Sequence, residues 1–337
     1  MIVDCAAYID GKRSQVPGTI EATSRAIRAF GGLAWIELRD PDPDEFAQVA
    51  REFDLHELAV EDAVVAHQRP KVERYDDTLF VVLRAASYHD RSESVEFTEL
   101  HVFAGPGFVI TVQRGAGSEV NRVRRRMESD PDLLQLGTEA ILYAIMDRVV
   151  DDFRPVVQGL QTDIDQIEDQ MFLASMDVTQ RTYELAREVI EFQRATKPLV
   201  GMLGGLINGG PKYGTPPELL DYLRDVQDHA IQVQEQVAGF RELIQNILNV
   251  NLAIVGMQQN EEVKAMTRAS LAQNDEVKKI SSWAAILFAP TLVGTVYGMN
   301  FNMPETHWAF GYPFAMILML LVSVLMYLWF RYKGWLS

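Results

Sequence analysis

Two uncharged apolar runs near the C-terminus constrain this chain more than any other feature. The first extends from Ile280 to Val296 and the second from Tyr312 to Phe330, without a charged residue in either. Each run approaches the ~20 apolar residues that a helix needs to cross a lipid bilayer. Because the gap between them is too short for a domain, the runs predict a helical hairpin. A buried hairpin in the core of a soluble protein is the alternative.

The charges around the two runs predict how the hairpin is oriented. Lys278 and Lys279 precede the first run, Arg331 and Lys333 follow the second, and the gap contains no lysine or arginine. By the positive-inside rule, both outer ends face the cytosol and the gap faces outside. The N-terminus lacks a basic start followed by an apolar core, so no cleaved signal peptide is expected. We therefore expect a multi-pass protein of the cell inner (cytoplasmic) membrane with both termini in the cytosol.

One face of the first run is mostly small or polar, and we call it the polar stripe. It consists of Asn274, Val277, Ser281, Ala284, Phe288, Thr291, Thr295 and Gly298, which follow one another in steps of three and four residues. Such a stripe favours either close helix packing through small residues or the water-facing wall of a pore. One chain with two spans cannot enclose a pore, so the second interpretation requires a ring of subunits.

Composition excludes several function classes. The net charge of −16 argues against nucleic acid as a partner, because a polyanion is bound by basic surfaces. Cys5 is the single cysteine, so neither an intrachain disulfide nor a thiolate metal cage is possible. The six histidines form no His-x-x-x-His pattern, and no Gly-x-Ser-x-Gly elbow is present. We therefore do not expect an enzyme.

The N-terminal part, residues 1–135, predicts an α+β domain. A capping carboxylate, a proline and further acids within Asp40–Glu45 predict a helix start. The turn Ala104–Gly107 predicts a hairpin between the two strands beside it. The strands are predicted at Leu33–Leu38, Thr78–Ala86, Phe97–Phe103 and Phe108–Gln113.

Residues 136–279 predict a region of long helices and a stalk. Thr138 is predicted to cap the first of these helices. The glycine- and proline-rich segment Gly201–Pro217 predicts a turn between helices. No proline occurs between Pro217 and Pro290, so one long helix is expected to continue into the first apolar run.

The segment between the two runs resembles the CorA family of magnesium channels. Gly298-Met299-Asn300 stands at the outer end of the first run, preceded by Tyr297 and followed by Met303-Pro304-Glu305. Two upstream segments, His67–Lys71 and Arg224–His229, are also similar to that family. The resemblance covers most of the chain.

The resemblance implies a funnel-shaped homopentamer in the lipid bilayer. Each subunit would contribute an α+β N-terminal cytosolic domain, a long helical stalk and two C-terminal transmembrane helices. The implied boundaries are 280–300 for the first transmembrane pore helix, 301–311 for an extracytoplasmic loop, 312–331 for the second transmembrane helix and 332–337 for a cytosolic tail. The implied ion is Mg²⁺, both transported and regulatory, with Co²⁺ and Ni²⁺ as further candidates for transport.

The resemblance and the helical phase together predict the functional residues. The selectivity filter is Gly298, Met299 and Asn300, and Glu305 in the outer loop raises the local cation concentration. The predicted pore-lining residues are Asn274, Val277, Ile280, Phe288, Thr291 and Thr295. By the resemblance, Glu61 and Asp62 face Asp225 of a neighbouring subunit and contribute to regulatory divalent-ion sites.

Other interpretations stay open at this point. The chain could be a related Zn²⁺ transporter, or a membrane-anchored helical sensor that carries no flux. Without the resemblance, Glu61 and Asp62 are typical of a solvated helix surface. A cluster of arginines, Arg122, Arg124, Arg125 and Arg126, is similarly typical of a solvated helix face paired with nearby acids, or of a phosphate or lipid site.

Overall fold

The computed structural model describes residues 1–15, 18–65, 68–115, 120–170, 176–300 and 308–336. The chain forms two compact units, Met1–Leu252 and Ala253–Ser337.

Within the described residues, the first unit contains one seven-stranded sheet. Its strands are β1 (Ile2–Ile9), β2 (Lys12–Arg13), β3 (Leu33–Arg39), β4 (Lys71–Tyr75), β5 (Thr78–His89), β6 (Ser94–Gly105) and β7 (Phe108–Arg114). Their order across the sheet is β2-β1-β3-β7-β6-β5-β4. β3 and β7 are parallel, and the other neighbours are antiparallel.

Helices cover both faces of this sheet. The helices of the described residues are α1 (Ile20–Phe30), α2 (Pro43–Glu52), α3 (Glu57–Val65), α4 (Val120–Glu128), α5 (Pro131–Gln135), α6 (Thr138–Asp151), α7 (Phe153–Gln170), α8 (Met176–Tyr213), α9 (Pro217–Tyr297) and α10 (Gly311–Tyr332), of which α1 to α8 include those on the sheet. Helices α1 to α3 share a core with alternate residues of β3, such as Ile36 and Leu38. Helices α4, α6, α7 and α8 pack on the other face, where Arg124 of α4 covers the ring of Trp35.

The four strands predicted from sequence are confirmed. β3, β5, β6 and β7 contain the four predicted segments, and the hairpin pairs Gly105 with Phe108. Sequence analysis did not predict β1, β2 or β4. β4 (Lys71–Tyr75) is an edge strand whose residues are all half-buried. Its sequence therefore shows no regular pattern of apolar residues from which a strand could be predicted.

The predicted start of α2 is confirmed in detail. The Asp42 carboxylate accepts from the Glu45 backbone N–H at 2.8 Å, and the Glu45 carboxylate accepts from the Asp42 N–H at 3.3 Å. This reciprocal capping box, with Pro43 in the first turn, satisfies backbone donors that have no partner within the helix.

The predicted cap of α6 is wrong, and the turn predicted within Gly201–Pro217 is confirmed only at the end of that segment. The cap of α6 is Gly137, which makes no side-chain capping bond, and Thr138 is already the first helical residue. The glycine-rich segment does not interrupt α8, which continues to Tyr213 before the short turn that precedes α9. Gly210 serves packing instead, because a Cβ there would lie 2.5 Å from Cδ2 of Leu220 on α9.

The long helix after Pro217 is confirmed as the single helix α9 of 81 residues, with Pro290 inside it. The end of α9 and the whole of α10 belong to the second unit. After α10, Gly334 adopts a positive φ of 74°, and the Trp335 ring stacks on Phe330 at 5.5 Å.

Candidate functional site

The apolar surfaces of α9 and α10 are largely uncovered. In the most apolar 18-residue window, 6% of α10 and 17% of α9 is buried. Leu287 on α9 and Leu320 on α10 are among the exposed large side chains, at 72% and 69%. Both helices are long and apolar enough to cross a membrane. The described residues therefore do not fit a hairpin buried in a soluble core, in which such side chains would be covered.

One side of α9 packs against α10. Ser282, Ile286 and Ala289 are buried on α9. The Trp283 ring lies 6.3 Å from that of Tyr327. Inward-facing small residues let two helices approach closely.

The polar stripe lies on a different side of α9. All of its residues are exposed in the single chain, and so is Ile280. Phe288 is 62% exposed and Val277 is 52% exposed, although both are apolar. The Thr295 hydroxyl donates to the Thr291 carbonyl at 2.7 Å, so this part of the stripe presents hydroxyl oxygens on a regular helix. Each predicted pore-lining residue is thus available to further copies of the chain.

The predicted filter residues stand where α9 ends. The Gly298 N–H donates to the Gly294 carbonyl at 2.8 Å, and the Met299 N–H donates to Val296 at 3.3 Å. A Cβ at Gly298 would lie 3.1 Å from the Gly294 oxygen, so this close final turn favours glycine. Asn300 follows and is exposed. Met303, Pro304 and the predicted outer-loop Glu305 lie outside the described residues.

The predicted regulatory carboxylates are divided between α3 and α9. Glu61 and Asp62 lie on α3, where Glu61 is exposed. The Lys71 ammonium contacts Asp62 Oδ2 at 2.6 Å. Asp225 is on α9, 70% exposed, with His229 Nδ1 at 3.9 Å. His67 of the similar upstream segment lies outside the described residues.

These carboxylates do not form a metal site within one chain. The part of the chain that the structure describes contains no group of three or more histidine, cysteine or acidic side chains that could hold a metal ion. Their oxygens are nevertheless the hard ligands that Mg²⁺ prefers, and Glu61 and Asp225 are open to solvent. The donors therefore suit a divalent cation, provided that another copy of the chain completes the ligand set.

Sequence analysis missed Lys71 and Glu73 beside this site. Lys71 Nζ lies 2.6 Å from Oε2 of Glu73 as well as from Asp62. Burial alone lowers the pKa of Lys71, but hydrogen bonds to Asp62 and Glu73 outweigh it, and the pKa is raised above its usual value. The spacing Lys-x-Glu was the available signal, because residues two apart share one face of a strand.

Two arginines of the cluster, Arg124 and Arg126, form ion pairs within the fold. Arg124 is 3% exposed, so the predicted solvated face is wrong for this residue. Its guanidinium contacts Asp4 at 3.2 Å, and the buried carboxylate of Glu37 lies 3.7 Å away. Arg126 pairs with Asp147 at 2.6 Å. These pairs hold α4 to its neighbours.

Comparisons with known proteins give a consistent result. A protein-family profile described as "CorA-like Mg2+ transporter protein" matches residues 30–332. The cobalt/magnesium transport protein CorA of Thermotoga maritima is 30% identical over 297 residues, covering 87% of this chain and 80% of that protein. The putative metal ion transporter YfjQ of Bacillus subtilis is 28% identical, covering 89% of each. The complete structure of the CorA magnesium transporter from Methanocaldococcus jannaschii has a similar fold, with a TM-score of 0.58 at 16% identity, covering 90% of this chain and 91% of that one.

Proposed function

Because this chain belongs to the CorA-like Mg²⁺ transporter family, we propose that it forms a homopentameric channel for Mg²⁺ influx. We propose further that Mg²⁺ on the cytosolic side closes it. The chain would lie in the inner membrane with both termini in the cytosol, the α+β domain and stalk inside, and the segment 301–311 outside. Co²⁺ and Ni²⁺ are proposed as further transported ions, since a named relative is a cobalt/magnesium transport protein.

The strongest support for a pore is the exposed polar stripe of α9, which leads to Gly298-Met299-Asn300. An anchor helix has no need of hydroxyl and amide groups on one exposed side, because each polar group in lipid carries a cost. A ring of chains that turn their stripes inward would remove these groups from lipid and line a path for ions. This favours a channel over a membrane-anchored sensor without flux.

The side chains along the stripe suit a hydrated Mg²⁺ ion. Mg²⁺ loses its water reluctantly and prefers oxygen ligands in octahedral geometry. Amide oxygens of Asn300 can bind the ion through its waters, whereas a ring of carboxylates would hold it more tightly. Thr291 and Thr295 would add rings of hydroxyls, and Asn274 would form a ring at the inner mouth. Glu305 would attract cations to the outer mouth.

The stripe also carries groups that can close the path. Val277, Ile280 and Phe288 are apolar, and rings of such side chains can exclude water and stop conduction. Zn²⁺ as the main ion is disfavoured because the described part of the stripe offers no histidine or cysteine, the ligands that Zn²⁺ prefers.

Regulation is assigned to Glu61, Asp62 and Asp225. When bound, Mg²⁺ would neutralise carboxylates that face each other across a subunit boundary and would otherwise repel. A ligand that binds one state better shifts the population towards that state, so bound Mg²⁺ would favour the closed ring. Asp225 and the polar stripe belong to the same helix, α9, so a change at Asp225 has a continuous helix that leads to the proposed pore.

The test is Mg²⁺ entry into proteoliposomes that enclose a fluorescent Mg²⁺ indicator. Flux is measured with and without Mg²⁺ on the side of the α+β domain. Influx that falls when this side is loaded supports a self-limiting Mg²⁺ channel. Absence of influx in every condition, from intact pentamers, would overturn the proposal in favour of the zinc transporter or the sensor.

A further inference from the structure

Lys71 stands between two carboxylates at the edge of the sheet. Its ammonium lies 2.6 Å from Oδ2 of Asp62 on α3 and 2.6 Å from Oε2 of Glu73 on β4. Lys71 and Asp62 are each less than one-third exposed, at 28% and 27%. An ion pair that is partly shielded from water is stronger than a fully exposed one.

The surroundings hold the ammonium in this place. Glu73 is itself positioned by the Tyr75 hydroxyl, which donates to Oε2 at 3.0 Å. The Lys71 Nζ atom lies 5.6 Å from the centre of the Phe80 ring, within the range of a cation–π interaction. Both carboxylates and the ring thus favour a positive charge at the same point.

A divalent cation at Asp62 has to compete with this charge. Lys71 occupies one oxygen of a carboxylate proposed to bind regulatory Mg²⁺, and its positive charge opposes the approach of another cation. We propose that Lys71 is a built-in counter-cation of Asp62 that sets the Mg²⁺ concentration at which the channel closes. This inference rests on the proposed regulatory role of Asp62.

Glu73 makes it easier for Asp62 to exchange its contact with Lys71 for one with Mg²⁺. A lysine ammonium has three donors and already contacts both carboxylates. When Asp62 turns to Mg²⁺, Lys71 therefore keeps Glu73 as its partner and is not left without a counter-charge. Loss of Glu73 would bind Lys71 more firmly to Asp62 and make Mg²⁺ a weaker competitor.

The experiment measures Mg²⁺-dependent protection of the full chain in detergent, by limited trypsin digestion and by hydrogen exchange of α3. Lys71→Met removes the charge and keeps most of the stem that reaches Phe80, whereas Lys71→Arg keeps the charge. Arg28→Met is the matched control, because it removes a cation from an ion pair with Glu52, 3.0 Å long, away from Asp62.

We expect Lys71→Met to lower the Mg²⁺ concentration that gives half-maximal protection, called the half-saturating concentration, about fivefold. This is the size of effect expected for the loss of a partly shielded charge pair. Lys71→Arg and Arg28→Met should stay within about twofold of the parent chain. In EDTA, Lys71→Met should speed hydrogen exchange of α3, because Asp62 and Glu73 then lack a counter-charge. An unchanged or raised half-saturating concentration in Lys71→Met would overturn the inference, since Lys71 would then not compete with Mg²⁺.

Glu73→Gln tests the second part of the inference. Alone, it should raise the half-saturating concentration about threefold, and in the Lys71→Met background it should have little effect. An equal effect in both backgrounds would mean that Glu73 acts directly on the ion and not through Lys71.

Asp62→Asn separates this inference from the proposed function. If Asp62→Asn leaves the Mg²⁺ dependence unchanged, the regulatory assignment of Asp62 is wrong. If Asp62→Asn weakens protection while Lys71→Met does not strengthen it, only the role of Lys71 is wrong.

Discussion

Gly294 of α9 lies directly against Met319 of α10. A Cβ added at Gly294 would stand 3.2 Å from the terminal methyl carbon of Met319. Small residues at such points allow membrane helices to pack closely. Together with buried Ser282 and Ile286, this contact commits one part of the α9 surface to α10. The polar stripe, on a different side, is left for other partners.

Substitutions at Gly294 should therefore depend on size. Gly294→Ala should change stability by less than about 1 kcal/mol, because the flexible Met319 side chain can move and alanine favours a helix. Gly294→Leu should cost about 1–3 kcal/mol through overpacking. The thermal midpoint of the protein in detergent measures both. Met319→Ala should recover part of the loss in the Gly294→Leu chain, and no recovery would show that the two residues do not share this contact.

Asn300 should be essential to flux if it forms the filter. Asn300→Ala should abolish Mg²⁺ entry into proteoliposomes, because it removes the amide oxygens proposed to bind the hydrated ion. Asn300→Asp should slow entry in another way, by holding Mg²⁺ too tightly. Leu287→Ala, on the exposed apolar surface of α9, is the control and should conduct normally. Retained flux in Asn300→Ala would eliminate the filter assignment.

Asp225 should control closure and not conduction. Asp225→Ala should keep Mg²⁺ entry but leave the channel open at cytosolic Mg²⁺ concentrations that close the parent, since one carboxylate of the proposed intersubunit site is lost. Asp221→Ala is a matched control one turn earlier, where the exposed carboxylate pairs with Arg224 on the same helix. Closure of the Asp225→Ala channel at the parent concentration would contradict the assignment.

The parts of the fold with a simple periodic signal could be predicted from sequence. Two uncharged runs identified the apolar hairpin, and apolar segments beside turn residues identified β3, β5, β6 and β7. The single helix α9 followed from the absence of proline after Pro217. Prediction failed where tertiary packing decides. Gly210 looked like a helix breaker but allows Leu220 to approach, and the edge strand β4 has no apolar pattern.

The candidate site was only partly predictable for the same reason. The polar stripe is a local feature of one helix, so its phase could be counted, whereas the predicted filter residues were recognised from the motif Gly298-Met299-Asn300. The contact between Lys71 and Asp62 joins a strand to a helix, and no sequence spacing specifies it. Arg124 stood in a run of arginines typical of a wet surface, yet it is the one turned towards buried Glu37.

Arg124 should be important for the stability of the first unit. Arg124→Met would leave Glu37, which is 1% exposed, without the guanidinium that faces it. Loss of one partner of a buried ion pair costs about 3–5 kcal/mol. Thermal unfolding of the full chain in detergent measures this cost. Adding Glu37→Gln should recover much of it, and a double variant as unstable as Arg124→Met would show that Glu37 is not the cause.

The loss of stability in the Arg124→Met variant should also depend on pH. Burial raises the pKa of Glu37 above its usual value, while Arg124 opposes this rise. A carboxyl whose pKa is raised by folding contributes stability that is present below its unfolded pKa and is lost as the pH rises through the folded value. Arg124→Met should therefore be more destabilising at pH 8 than at pH 5. An equal loss at both pH values would mean that Arg124 does not affect the ionisation of Glu37.

Cys5 should report unfolding of the first unit. Burial, followed by the nearby charge of Asp4, raises the pKa of the Cys5 thiol from 9.0 to about 11. Since the thiolate is the reactive form, a rise of this size lowers its fraction near pH 8 about a hundredfold, and burial slows access further. By linkage, the stability contribution of Cys5 is full below pH 9 and declines as the pH rises through about 11.

Iodoacetamide should thus modify Cys5 very slowly in the folded protein and at the ordinary rate in the urea-unfolded protein. Mass spectrometry measures the modified fraction, and Cys5→Ala gives the background. Equal rates with and without urea would show that the strand β1, which contains Cys5, is open in the folded protein.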